Sequence, residues 1–274
     1  ALSASFNDDT VAWYENDGSQ SFAERVITTL ADAALGVFAI DLDGDGDVDV
    51  LSASVYDDTV AWYENGDAQS FTERIISTTA DFATSVFAID VDGDGDVDAL
   101  SASGLDDTVA WYENDGSQSF TERIITTLAG WPFSVFAIDV DGNGDVDALS
   151  AYTGDDIVAW YENDGSQSFT ERVVTSLAVK AVSVFAFDVD GDGDIDALSS
   201  SYGDDTVSWY ENDGSQSFTT RIITTLADGA HSVAAADVDG DGDADALSAA
   251  YGAGAIAWHE NECATRAPTA TPTA

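Results

Sequence analysis

Positive charge is almost missing from this chain. Seven lysines and arginines stand against 53 aspartates and glutamates, a formal charge of −46. Such a polyanion repels phosphate backbones and anionic headgroups, which excludes nucleic acid and anionic membrane surfaces as partners. No run of 18 apolar residues occurs, so no membrane insertion is expected. Cysteine occurs once, at Cys263. An internal disulfide is therefore impossible, and the thiol is either free or paired to another chain. Histidine occurs twice, at His231 and His259, and neither stands near a serine or cysteine nucleophile pattern. No enzyme is expected.

What is abundant is aspartate, and it is clustered. Five nine-residue segments, each starting 49 residues after the last, place aspartate at nearly every odd position. The first holds Asp41, Asp43, Asp45, Asp47 and Asp49; the second holds Asp90, Asp92, Asp94, Asp96 and Asp98. The third holds Asp139, Asp141, Asn143, Asp145 and Asp147. The fourth holds Asp188, Asp190, Asp192, Asp194 and Asp196, and the fifth Asp237, Asp239, Asp241, Asp243 and Asp245. Two like charges about 4 Å apart repel by roughly 1–4 kcal/mol between bulk-water and protein-surface dielectrics. No lysine or arginine lies inside these segments, so a bound cation is expected to neutralise them. Ca²⁺ fits. It takes about six to eight oxygens in adaptable geometry, and loops offer it positions 1, 3, 5, 7 (a main-chain carbonyl) and 9. Gly44 and Gly46, at positions 4 and 6 of the first segment, suit so tight a wrap. About five Ca²⁺ are expected, the third held more weakly through Asn143. Mg²⁺ suits the pattern less, because it keeps its waters and octahedral geometry.

The spacing imitates the first half of an EF-hand. Position 12 is Ser52, Ser101, Ser150, Ser199 or Ser248 rather than the bidentate glutamate. The flanks are short β-type runs, not amphipathic helices.

The 49-residue period extends to Trp13, Trp62, Trp111, Trp160, Trp209 and Trp258, and to Arg25, Arg74, Arg123, Arg172 and Arg221. One unit predicts four strands. In the second they are A over 37–41, B over 50–54, C over 59–64 and D over 71–77. The aspartate loop lies between A and B, and a tight hairpin between C and D. Strand C carries apolar bulk on both faces, Trp62 on one and Tyr63 on the other. A sheet packed between two neighbours needs this, and a sandwich does not. The fold expected is all-β, a β-propeller of four-stranded antiparallel blades. About six blades are expected, the first lacking A and the last lacking D. The alternative is an open array of sheets completed by neighbouring chains. The Trp and Tyr ladders are expected in the core between blades, and the repeated arginine is expected to tie down carboxylates.

The Asp-x-Asp-Gly-Asp-Gly-Asp-x-Asp loop, followed by an Ala-Leu-Ser-Ala strand, resembles the FG-GAP/VCBS repeat family over residues 1–262. The resemblance implies propeller blades of the integrin-α type and loop aspartates, with Asn143, that bind calcium. The literal Phe-Gly and Gly-Ala-Pro signatures are absent; Val-Phe-Ala stands at that strand. The family includes adhesion proteins, lectin-like modules and domains attached to polysaccharide enzymes, so membership leaves function open.

The repeats differ from one another in the D–A connections (30–36, 79–85, 128–134, 177–183, 226–232) and the B–C connections. In an antiparallel A-B-C-D sheet both lie opposite the aspartate loops. A ligand-binding face is therefore expected there, built from Trp131, Phe133, Phe82, Tyr56, Tyr202 and His231. Trp131 is either a contact residue or packed onto a neighbouring blade. The Asp-Asp pairs opening each strand C (Asp57-Asp58 and equivalents) are expected to form turns or hold a second cation.

Ala1 aligns with Ala99, in mid-repeat, so the chain reads as a mature product or a segment of a longer one. Residues 263–274, rich in Pro and Thr, read as a linker, an O-glycosylated stalk or a disordered end. Weak calcium sites and high acidity point to an extracellular or cell-surface location. The function expected is binding or adhesion to an extracellular glycan or protein. The alternatives are a filament subunit assembling head to tail with copies of itself, with Cys263 as a possible intermolecular disulfide, and a polysaccharide-active enzyme.

Overall fold

Apolar residues at alternate positions, broken every six to eight residues by Asp, Gly and Asn, leave the chain only short strands to form. The computed structural model describes residues 1–66 and 69–261 and consists of 22 strands in six antiparallel sheets. The first sheet joins β1 (Leu2–Ser5), β2 (Thr10–Asn16) and β3 (Phe22–Thr28). The second joins β4 (Ala34–Ile40), β5 (Asp49–Ser54), β6 (Thr59–Gly66) and β7 (Ser70–Ser77). The third joins β8 (Ala83–Ile89), β9 (Asp98–Ser103), β10 (Thr108–Asn114) and β11 (Phe120–Thr126). The fourth joins β12 (Pro132–Ile138), β13 (Asp147–Tyr152), β14 (Ile157–Asn163) and β15 (Phe169–Thr175). The fifth joins β16 (Ala181–Phe187), β17 (Asp196–Ser201), β18 (Thr206–Asn212) and β19 (Phe218–Thr224). The sixth joins β20 (Ala230–Ala236), β21 (Asp245–Ala250) and β22 (Ala255–His259).

These are six blades of a β-propeller, three-stranded at both ends as expected. Strand A begins three residues earlier than the sequence pattern predicts, at Ala34. A bulge between Ala34 and Gly36 in its pairing with β5 breaks the alternation there and hides the strand's start. No helix among the described residues is long and apolar enough to cross a membrane. The Pro/Thr tail and Cys263 lie outside the described residues.

The core lies between blades. Trp62 of β6 points to the next blade and shares a cluster with Tyr112 of β10, which points back. Trp111 meets Tyr161, and Trp160 meets Tyr210, in the same way. These three tryptophans are 2–3% exposed, so they are core rather than sugar platforms. The inner strands are stitched directly. Val135 N–H donates to Ser85 Oγ of the preceding blade (3.2 Å), and Val184 and Val233 donate likewise to Ser134 and Ser183. Phe38, Phe87, Phe136 and Phe185 stack from blade to blade at centroid separations of 4.6–4.8 Å.

Each repeated arginine pairs with a glutamate across strands C and D, as Arg74 does with Glu64 (2.7 Å). The five arginines are 52–56% exposed, and exposed pairs contribute at most about 1 kcal/mol. Arg123→Gln is accordingly expected to shift the melting temperature by no more than about 4 °C in a thermal melt. A larger fall would mean that the pair is structural.

Candidate metal centres and the opposite face

Each aspartate loop folds on its own backbone. In the first, Asp41 accepts the N–H groups of Gly44 (2.9 Å) and Gly46 (3.0 Å) through its two oxygens. Asp43 accepts from Asp45, and Asp45 from Asp47. Both glycines adopt positive φ, 73° and 96°, which an L side chain would resist. The ninth residue is the buried anchor. Asp49 Oδ2 accepts Leu42 N–H (3.0 Å) and Oδ1 accepts Asn65 N–H (2.7 Å), tying the loop to the end of strand C. The other four loops repeat this anchor through Asp98, Asp147, Asp196 and Asp245.

The loops hold carboxylate oxygens within 4.8 Å of one another. The clusters are Asp41–Asp43–Asp45, Asp90–Asp92–Asp94, Asp139–Asp141–Asp147, Asp188–Asp190–Asp196 and Asp237–Asp239–Asp245. Positions 1 and 3 converge in all five, joined by position 5 in the first two and position 9 in the last three. Position 7 behaves differently. The carboxylates of Asp96, Asp145 and Asp194 lie against Gly116, Gly165 and Gly214 of the C–D hairpins, where a Cβ would overlap them. These side chains are turned to the hairpin and are not among the converging carboxylates.

Burial pushes Asp98 and Asp147 up to about 7 and Asp196 to about 6. It also raises Asp43, Asp92, Asp141 and Asp190. Asp245, in the open last sheet, is instead held low by the N–H of Asn261. Converging, partly desolvated carboxylates with all-oxygen donors and no arginine among them are chemically suited to hold a hard cation.

The opposite face is built from the variable connections. Five equivalent residues there, Ala33, Phe82, Trp131, Lys180 and Gly229, have positive φ of 52–64°. Their N–H groups donate to Asp9, Asp58, Asp107, Asp156 and Asp205 at 2.7–3.0 Å. Their carbonyls accept N–H groups of the B–C connections, as Trp131 does from Thr153 (3.0 Å). The second aspartate of each Asp-Asp pair therefore supports a turn, one of the two roles expected for it. The backbone frame is constant and the side chain differs in every repeat. This frame escaped the sequence reading; its one trace was a residue of changing identity about 24 positions after a constant aspartate.

Trp131 is 40% exposed and packs onto the neighbouring blade, one of the two roles expected of it. It meets Phe82 edge-on at 5.7 Å, over Gly104, where a Cβ would strike its indole nitrogen. Tyr56 (63% exposed) meets Phe6 at 5.5 Å, and Tyr202 is also exposed. Phe133 and His231 stand on inner strands β12 and β20, two blades apart, yet their rings meet at 5.8 Å across the axis. His231 then touches Tyr251. The structure thus separates the six predicted residues into aromatic patches on the rim and a plug at the axis. Burial lowers the tendency of His231 to protonate. His259, in a tyrosine's place, keeps that tyrosine's bond to serine, Ser248 Oγ lying 2.9 Å from Nε2.

The model of the FG-GAP-like repeat matches five overlapping stretches: 1–52, 41–101, 90–150, 139–199 and 188–248. The chain belongs to the FG-GAP-like repeat family. The ends of successive matches step by the 49-residue period, and each match after the first runs from one aspartate loop through the next. No curated protein matches the sequence. Solved structures similar to it include a functionally unknown protein from Desulfotomaculum acetoxidans DSM 771. That protein is 12% identical over 94% of this chain and 78% of its own, with a TM-score of 0.61. A streptogramin B lyase is 12% identical over 95% and 79%, with a TM-score of 0.63. Virginiamycin B lyase from Staphylococcus aureus is 14% identical over 89% and 71%, with a TM-score of 0.59. At these identities the likeness shows the fold alone.

Proposed function

We propose that this chain is a calcium-stabilised extracellular binding module that takes a glycan or protein on the face opposite the aspartate loops. The observation that carries the reading is the constant backbone frame with a changing side chain at Ala33, Phe82, Trp131, Lys180 and Gly229. A non-glycine residue in this conformation costs about 1–2 kcal/mol. Glycine avoids that cost, and only the last repeat uses it. Large aromatics held there by both N–H and C=O are a strained display, which is where function concentrates.

Calcium supports this face from behind. The clusters on Asp41, Asp90, Asp139, Asp188 and Asp237 would each hold one ion, relieving carboxylate repulsion and pinning strand A to strand B. Oxygen-only donors in a pliant loop favour Ca²⁺ over Mg²⁺. Sites of modest affinity fill in calcium-rich fluid outside cells. The reading is of a binder rather than an enzyme. The carboxylates repeat five times, whereas catalysis needs one asymmetric constellation of nucleophile, base and orienter.

The test is a glycan and extracellular-protein array probed with wild type and Trp131→Ala in calcium. At least a tenfold loss of binding is expected, with a melting temperature within a few degrees of wild type. Unchanged binding by the variant would remove this face from consideration.

A further inference from the structure

We infer that the clefts at the three boundaries between four-stranded blades are equivalent binding sites for a neutral hexopyranose unit of a glycan. They open on the aspartate-loop side, and the inference holds whether or not the variable face takes a ligand. Each cleft has the same walls, 49 residues apart. Between the third and fourth blades, one blade gives Asp92, Trp111, Glu113, Arg123 and Ile124, and the C–D hairpin of the next gives Gln167. The clefts on either side repeat this set, with Gln118 and Gln216 in the place of Gln167. Their volumes are about 340, 330 and 380 Å³ in chain order, at the small end of the roughly 300–1,000 Å³ of ligand pockets.

The polar groups around each cleft are only half used. Arg123 directs Nε (2.7 Å) and Nη2 at one oxygen of Glu113, Oε2. The same end-on geometry recurs in Arg74–Glu64 and Arg172–Glu162. The arginine Nη1 and the glutamate Oε1 are left over among the described residues, a donor beside an acceptor. Gln118, Gln167 and Gln216 have φ of 56–58°, a conformation that glycine adopts more easily. Gln118 and Gln167 are held in it by N–H groups that donate to Asn114 Oδ1 (3.1 Å) and Asn163 Oδ1 (3.2 Å). The bonds that close the Gln167 hairpin run through Asn163 and Asp164 and use no glutamine amide. A strained glutamine with a spare amide, set in every one of these clefts, points to a ligand. Its class follows from the walls. Adjoining donors and acceptors suit neighbouring hydroxyls, and Ile75, Ile124 and Val173, 51–53% exposed, offer an aliphatic surface to the C–H face of a sugar ring. An anion would meet Asp92 and Glu113 on a chain of charge −46, and a cation would meet Arg123. A neutral ring of hydroxyls avoids both. Equal clefts on one rigid scaffold suit a glycan of repeated units, whose later contacts are intramolecular.

The probes are the methyl glycosides of glucose, galactose and mannose, followed by saturation-transfer NMR, and fluorescein-labelled dextran, galactan and mannan, followed by anisotropy. All are titrated into the whole chain in calcium, with polygalacturonate as the anionic control. At least one neutral polymer is expected to bind about a hundredfold tighter than its own monosaccharide glycoside. Slowed amide exchange is expected at residues 116–118, 165–167 and 214–216. The triple variant Gln118→Gly, Gln167→Gly, Gln216→Gly removes the amides while suiting the backbone. It is expected to weaken polymer binding by about a hundredfold, with no fall in melting temperature. If the triple variant fails to fold, Gln167→Gly alone decides, by losing the protection at residues 165–167 and keeping it in the other two hairpins. No binding of any neutral probe, tighter binding of polygalacturonate, or unchanged binding by the glycine variants would overturn the proposal. So would protection confined to the connections around Trp131 and Tyr202, which would leave the variable face standing by itself.

Discussion

Chelation with EGTA at pH 7.5 is expected to lower the melting temperature by tens of degrees relative to 10 mM Ca²⁺. A site of about 10⁻⁴ M affinity contributes roughly 2.7 kcal/mol under those conditions. Five independent sites would contribute on the order of 13 kcal/mol, comparable with the whole stability of a typical domain. The pH dependence should reverse with the metal. Without it, Asp98 and Asp147 sit near 7, above their unfolded value, so the folded state disfavours their charged form. Stability in EGTA is therefore highest near pH 4–5 and falls as pH rises toward 7. A bound cation favours the charged form, so stability in calcium rises over the same interval. Thermal melts at pH 5, 6 and 7.5, with and without chelator, check both signs. A chelator effect no larger at pH 7.5 than at pH 5 would contradict the assignment of these loops to a metal.

The second large effect separates ligand from anchor. Asp147 is buried and accepts the N–H groups of Val140 and Asn163 at 2.9 and 2.7 Å. Asp147→Ala orphans both. A buried unsatisfied group costs about 1–3 kcal/mol, so a loss of roughly 2–6 kcal/mol should persist in EGTA. In calcium the loss of a cluster carboxylate adds to it. Asp141 shares the same cluster but accepts only Asn143 N–H on the exposed side. Asp141→Ala should cost about 2.7 kcal/mol in calcium and at most about 1 kcal/mol in chelator. Denaturant unfolding of both variants in the two buffers gives the comparison. Equal behaviour in EGTA would show that the ninth position is a ligand and not the frame.

Much of this molecule is legible because its repeats are nearly identical. A 49-residue period carrying Trp, Arg and aspartate loops at constant offsets locates blades, hairpins and candidate ligands without coordinates. Strand C, apolar on both faces, calls for neighbours on either side, and Trp62 and Tyr112 supply that contact. Phe133 and His231 were both expected on the variable face; that their rings meet from strands two blades apart was not foreseeable, because such a contact depends on blade curvature.

Sequence alone determined what recurs in every unit: four strands, an acidic loop at one end, a variable end opposite, and a core between sheets. These follow from local rules, namely alternation, turn residues and charge repulsion, which act within one repeat. Only the tertiary structure decided what depends on a neighbour. Asp96 turns from its loop toward Gly116, and Trp131 is held in a left-handed conformation by Asp107. Such features arise from the meeting of two surfaces in space, and no single repeat carries the information that fixes how they meet.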